Sequence, residues 1–113
     1  MRTPDPERST FQNRPAYRYI RASDQLPVQA EDKDPMARVK LFNPTGVGTW
    51  YLASYDPKDR TAFGAAFVHE YELGYIGLAE LVAFRGRFGL PIERDLHWTP
   101  RPLSECVKGG RGQ

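Results

Sequence analysis

The chain of 113 residues has one cysteine, two histidines and no long apolar run. Each scarcity excludes something. A single thiol, Cys106, closes no internal disulfide, so the fold cannot rest on a disulfide framework. No stretch approaches the roughly 20 apolar residues a membrane-spanning helix needs. The first residues, Met-Arg-Thr-Pro-Asp-Pro-Glu, contain no apolar segment of the kind a secretory signal carries. Together these point to the cytoplasm and to no membrane partner. Charge surplus is also missing. Residues 1–34 carry six basic and six acidic side chains, and residues 35–98 carry seven of each. The excess lies in Arg101, Lys108 and Arg111 against Glu105. A nucleic-acid binder usually shows a basic stripe on its folded body, so charge does not favour nucleic acid as the partner. No internal repeat is present.

What is plentiful is proline, ten residues spread along the whole chain, which rules out long helices. The polar segment before Leu26-Pro27 reads as a flexible proline-rich lead over residues 1–25. Within it, Tyr17 to Gln25 is compatible with a short helix carrying Tyr17, Ile20 and Asp24 on one side. One compact domain is expected over 26–107, after which 108–113 form a glycine-rich tail. Glu31-Asp32-Lys33-Asp34-Pro35 is a charged linker.

Met36 to Phe42 reads as a first strand. Thr45-Gly-Val-Gly48 is a turn into a second, Thr49 to Tyr55. Strict alternation puts Thr49, Tyr51, Ala53 and Tyr55 on one face of that strand and Trp50, Leu52 and Ser54 on the other. Asp56-Pro57-Lys58-Asp59 supplies turn chemistry, with proline presetting φ and aspartate able to accept from nearby amides. A third strand follows, with Phe63, Ala65 and Phe67 opposite the small face of Ala62, Gly64, Ala66 and Val68. Small residues there suit close packing, so a β-branched side chain at Gly64 is expected to destabilise the fold. Leu73 to Ile76 reads as a fourth strand. Gly77 then caps a helix whose stripe is Leu78, Leu81 and Val82, with Glu80 near the positive end of the dipole and Gly86 as its stop. Pro91 to Trp98 reads as a last strand, and Leu103 to Val107 adds a helical turn. The class is therefore α+β: a small antiparallel sheet of four or five strands with one short helix.

Three groups of residues carry candidate chemistry. If the last strand alternates, Glu93, Asp95 and His97 share a face about 7 Å apart, and Glu72 adds an oxygen if its strand is adjacent. Carboxylates and imidazole are suitable ligands for a divalent cation or for acid–base work on a phosphoester. The plainer reading is a solvent-facing polar face, with Arg94 pairing to a carboxylate elsewhere. Arg85, Arg87 and Phe88 lie in a glycine-rich loop suited to gripping a partner. Trp50, Tyr51, Tyr55, Phe63 and Phe67 supply aromatic residues on both faces of the hairpin. Either the sheet is covered on both sides, or one face is kept for a partner or a second copy; a single short helix favours the latter. Other matches fail. His69-Glu70 needs a histidine at position 73, which is Leu73, to make the zinc motif. The Thr45–Gly48 turn lacks a following helix to hold phosphate, and Cys106 has no neighbouring base. No cofactor is implied.

Several blocks together resemble a known family. They are Val39-Lys40-Leu41-Phe42-x-Pro44, Thr49-Trp50-Tyr51, Glu72-Leu73-Gly74-Tyr75, Leu78-x-Glu80-Leu81 and Phe88-Gly89-Leu90-Pro91-Ile92-Glu93-Arg94-Asp95-Leu96. In this order they resemble the small bacterial domain-of-unknown-function 2958 family, over roughly Leu26 to Val107. The resemblance implies a setting on plasmids, conjugative elements and phages, and it brings no catalytic residues. The expectation is a non-enzymatic accessory protein acting by protein–protein contact, with a DNA-processing or host-defence machine as its target. The alternative is the metal-dependent enzyme acting through Glu93, Asp95 and His97.

Overall fold

The computed structural model describes residues 8–9, 17–30 and 32–108. Residues 1–7 and 10–16 of the expected lead and 109–113 of the expected tail lie outside them.

The sheet grows outward from its aromatic hairpin. β1 (Arg8–Ser9) and β2 (Tyr17–Arg18) pair with each other. β3 (Met36–Ala37) and β4 (Val39–Phe42) follow, then the long strands β5 (Thr49–Asp56), β6 (Thr61–Phe67) and β7 (Tyr71–Gly77). The helix α1 (Leu78–Ala83), the short β8 (Glu93–Arg94) and β9 (Arg101–Pro102), and the helix α2 (Leu103–Lys108) complete the order. Five strands form one antiparallel sheet in the order β7-β6-β5-β4-β8, and β3 pairs with β9 beside it. The expected α+β class and strand count hold. The expected first strand is two: Arg38 N–H still reaches the Leu52 carbonyl of β5 at 2.9 Å, and upstream of it Met36–Ala37 pair with β9. The segment expected as a helix from Tyr17 is β2 followed by a single 3-10 turn, Ala22–Asp24.

β5 is the central element, and seven of its eight residues are buried. Burial on both faces removes the alternation a half-exposed strand would show. One face carries Val39, Leu41, Trp50, Leu52, Tyr55 and Ala62, packed against Leu78 and Leu81 of α1 and against Tyr19, Ile20 and Ile92. Each fully buried aliphatic side chain there contributes about 1.5–3 kcal/mol. The other face carries Tyr51, Ala53 and Ala65 beneath Ala37, Leu103 and Cys106, with Trp98, Phe67 and Tyr71 at its margin. The core thus reaches Tyr19 and Ile20, upstream of position 26.

Strict alternation in β5 fails at one place. Leu52 pairs with Gly64, and Ser54 pairs with Phe63, so Ala53 is an extra residue. This β-bulge turns Tyr55 onto the face of Trp50 and Leu52 rather than that of Tyr51. The turn after β5 forms as expected, with Lys58 N–H donating to Asp56 Oδ1 at 2.9 Å. α1 begins after Gly77 as expected but is capped by Phe84, two residues short of Gly86.

Candidate functional site

The pairing of β8 decides where the expected acidic cluster lies. Glu93 pairs with Phe42 and Arg94 with Leu41, and the strand ends there. Asp95 N–H still reaches the Lys40 carbonyl at 2.9 Å, but Leu96 and His97 form a turn. The cause is local: the Asp95 carboxylate accepts from the His97 amide at 2.9 Å, a turn that aspartate makes with its own backbone. Asp95 also pairs with Lys40 at 3.6 Å. The strand continuation needed to align Glu93, Asp95 and His97 is therefore absent. Glu72 is farther still. It lies on β7, at the opposite edge, about four strand spacings or roughly 19 Å from β8. Its row across the sheet runs through Ala66, Trp50 and Leu41 to Arg94, so it projects from the face opposite Glu93. Among the described residues, no three histidine, cysteine, aspartate or glutamate side chains are placed to hold one ion.

Arg94 has the kind of partner the plainer reading expects. Its guanidinium donates to Asp24 Oδ2 at 2.7 Å and Oδ1 at 2.5 Å, and to the Tyr19 carbonyl at 2.7 Å. Both side chains are about nine-tenths covered. Burial by itself raises the Asp24 carboxyl, but the Arg94 and Arg21 hydrogen bonds and their charges outweigh it. The net position is below the ordinary value of 3.8. Tyr19 O–H donates to the Ile92 carbonyl at 2.5 Å, so residues 19–24 cover the β8 edge.

Trp50, Tyr51 and Tyr55, expected as an aromatic face for a partner, are 9%, 1% and 7% exposed. They are core residues, and each face has its own cover. Trp50 and Tyr55 pack with Tyr19, Ile20 and Ile92 and with Leu78 and Leu81 of α1. α2, expected as a helical turn, is a six-residue helix that covers Tyr51 on the second face of β5. Asp34 holds its first turn, accepting from Ser104 N–H at 2.9 Å and Ser104 O–H at 2.6 Å. Cys106, on the buried side of α2, donates to the Pro102 carbonyl at 3.7 Å. Burial pushes its thiol up to about 11 against the pull of Arg101 and Lys40, so it is no nucleophile at neutral pH.

Arg85, Arg87 and Phe88 are all exposed, and Phe88 is the most exposed large apolar side chain described, at 85%. Its loop is held closed from within. Gly86 N–H donates to the Leu90 carbonyl at 2.7 Å, Gly89 N–H to Gly86 at 3.1 Å and Leu90 N–H to Arg87 at 3.2 Å. It is anchored from outside by the β4–β5 turn, where Thr45 Oγ accepts from Arg87 N–H at 3.1 Å. A side chain at Gly86 would meet that same hydroxyl at 2.7 Å, so glycine permits the approach. The glycine-rich turn at 45–48 therefore braces the arginine loop. Phe88 sits in the left-handed region, with φ 60° and ψ 18°, which is unusual for a bulky residue.

A cleft of about 770 Å³ opens between the β4–β5 turn and the β6–β7 turn, lined by the cross-strand row Phe42, Thr49, Phe67 and Tyr71 and by Lys40, His69, Glu70 and Asp95. At the opposite margin of the same face, Leu73 and Tyr75 on β7 are 55% and 80% exposed, and Tyr75 packs edge-on against Phe63 at 5.3 Å. These two exposed side chains escaped the sequence reading. Their signal was the alternation Tyr71, Leu73, Tyr75, which marks a face with apolar residues and nothing after it to cover them. No helix among the described residues is long and apolar enough to cross a membrane.

A family model described as a protein of unknown function (DUF2958) matches residues 13–112. No curated protein and no solved structure matches the chain.

Proposed function

This chain belongs to the family of proteins of unknown function DUF2958, and from that premise we propose that it is a non-enzymatic binding protein that docks on another protein through the Arg85–Phe88 loop. The observation that carries this reading is the state of Phe88. A phenylalanine in the left-handed region costs roughly 1–3 kcal/mol. Exposure of 85% returns almost none of that cost through packing within the chain. The loop is nonetheless fixed by three internal hydrogen bonds and one from the neighbouring turn. A rigid, projecting aromatic directly after Arg87 has the composition of an interface hot spot, where an aromatic fills a pocket and a neighbouring arginine engages acidic groups; Arg85 donates to the Val82 and Phe84 carbonyls and so ties the loop to the end of α1. Preorganisation also lowers the ordering cost of association.

The setting implied by the family resemblance, among plasmids, conjugative elements and phages, gives the reading its biological form. The protein is an accessory factor of a mobile element, acting in the host cytoplasm on a DNA-processing or defence assembly. The metal-dependent alternative has no specific contact in its favour, since Asp95 is engaged by Lys40 and the His97 amide and Glu72 faces away.

Affinity capture from a bacterial host lysate tests the proposal. The wild-type chain is expected to retain a discrete partner that Phe88→Gly and Arg87→Glu each lose. Because glycine accepts the left-handed conformation without strain, Phe88→Gly should melt within about 1 kcal/mol of wild type or slightly above it. A core phenylalanine would lose about 3–5 kcal/mol on truncation. Capture that survives both substitutions refutes the role of the loop.

A further inference from the structure

The two edges of the main sheet are treated differently. The β8 edge is two residues long, and the segment from Tyr19 to Asp24 covers it through the Tyr19 and Arg94 hydrogen bonds. β7 is seven residues long and pairs with β6 at every position from Tyr71 to Gly77 without a bulge. Among the described residues no strand pairs with its other side. Its sequence, Tyr-Glu-Leu-Gly-Tyr-Ile-Gly, has no proline, no lysine and no irregularity, and Glu72 is its one charge. An edge of this length and regularity is a template for another strand.

We propose that the occupant of this edge is a second copy of the chain, with β7 pairing antiparallel to β7 of its partner about a two-fold axis at Gly74. β7 is self-complementary. In that register Gly74 lies opposite Gly74, and Leu73 lies opposite Tyr75 of the other copy. Glu72 lies opposite Ile76 and Tyr71 opposite Gly77. The two exposed apolar residues of each β7 meet on one face, flanked by Phe63, and no charge faces itself. A two-fold axis normal to the sheet keeps that face continuous, so two five-stranded sheets become one of ten. Any other extended peptide would need apolar residues at the same two positions and a small residue between them, which β7 itself supplies. A Cβ at Gly74 would have no atom within 4 Å, so the chain's own packing does not require glycine there.

Exposure sets the strength. Tyr75 at 80% and Leu73 at 55% are the main apolar area available. Doubled over two copies they supply on the order of 500 Å² of apolar side-chain surface, below the ~1,200 Å² of a standard interface. The dimer is therefore concentration-dependent, a reversible association rather than a permanent one. It uses the edge opposite β8 and does not involve Phe88, so it stands independently of the proposed docking loop.

Sedimentation equilibrium on the full chain, from about 10 µM to 1 mM, reads the association directly. Wild type is expected to shift from monomer to dimer across that range. Leu73→Lys and Tyr75→Lys, both at exposed positions, should each weaken it at least tenfold while circular dichroism and melting temperature stay unchanged. The register makes a sharper demand. The double variant Leu73→Lys/Tyr75→Glu places opposite charges at each facing pair and should recover association at low salt, losing it again as salt rises. Phe88→Gly should dimerise as wild type does. A chain that stays monomeric up to 1 mM, a dimer that both lysine variants leave intact, or a double variant no stronger than the single ones overturns the proposal.

Discussion

Two glycines that face each other across the same pair of strands should respond oppositely to the same substitution. Gly64 on β6 and Gly74 on β7 are register partners. Neither has a positive φ, so alanine is not excluded at either position by backbone conformation. Their surroundings differ. A Cβ at Gly64 would lie 1.8 Å from the Tyr51 carbonyl oxygen, 2.9 Å from its carbon and 3.1 Å from Leu52 Cα. All three are backbone atoms of the central strand, and none can rotate away. To reach even a tight 3.0 Å, the strands must separate locally by about 1.2 Å, with loss of ladder geometry on both sides. Overpacking of this kind costs typically 1–3 kcal/mol and occasionally more, and the steric conflict here is with backbone, so the upper part of that range is expected. The entropy gained by replacing glycine, about 0.4–1 kcal/mol, offsets only part of it. The net loss for Gly64→Ala is therefore about 2 kcal/mol, which is roughly 6–12 °C in melting temperature for a domain of this size. Gly74→Ala meets nothing within 4 Å and should gain up to about 1 kcal/mol from the same entropic source. Thermal melts and urea titrations of the two variants, at a concentration where the chain is monomeric, make the comparison. Equal stability of the two variants, or wild-type stability in Gly64→Ala, refutes the account of the β5–β6 contact.

Breaking the Asp24–Arg94 pair should be costly, because a single truncation leaves one largely covered charge without its counterpart. Arg94→Ala is expected to lose roughly 3 kcal/mol in urea unfolding. The same pair sets an acid limb. Asp24 is held below its ordinary value in the folded chain, so its stabilisation is complete above that ordinary value of 3.8 and is lost as pH falls through the lower folded value. Stability measured from pH 5 down to pH 2 should fall more steeply in wild type than in Asp24→Asn. Cys106, held at about 11 against an ordinary 9.0, carries about one-hundredth of the thiolate of a free cysteine at pH 8. Thiol reagents should label it only on unfolding, and fast labelling of the native chain would show that α2 does not stay closed.

Much of the architecture was legible because the local signals agreed. The hairpin of β5 and β6, the Asp56 turn and the Gly77 start of α1 all follow from residues within a few positions of each other. What escaped was set by contacts distant in sequence. The bulge at Ala53 has no local marker, and it moves Tyr55 to the other face of the sheet. β8 stops at Arg94 because the Asp95 carboxylate bonds to the His97 amide instead of letting the strand run on, and that difference of two residues dismantles the expected acidic cluster. Arg94 was expected to find a carboxylate, but nothing in sequence picks Asp24, seventy residues away. The aromatic residues of β5 were expected to exceed what one helix covers. Tyr19, Ile20 and Ile92 join α1 over Trp50 and Tyr55, and a second helix, begun by Asp34 at a comparable distance, covers Tyr51. The most exposed large apolar side chains are instead Phe88 and Tyr75.

The bulge at Ala53 gives the central strand one point where its length can change without inverting its faces. Deleting either Ala53 or Ser54 leaves the remaining pairings of β5 with β6 in register, whereas deleting a residue elsewhere in the interior of β5 inverts the faces of those between it and the bulge or the strand end. Elsewhere in the strand a change of length is paid for by the whole core. At this point it costs only the local geometry of the kink, so among relatives that keep the sheet, variation in the length of the central strand is expected at the bulge and not within the regular pairing on either side.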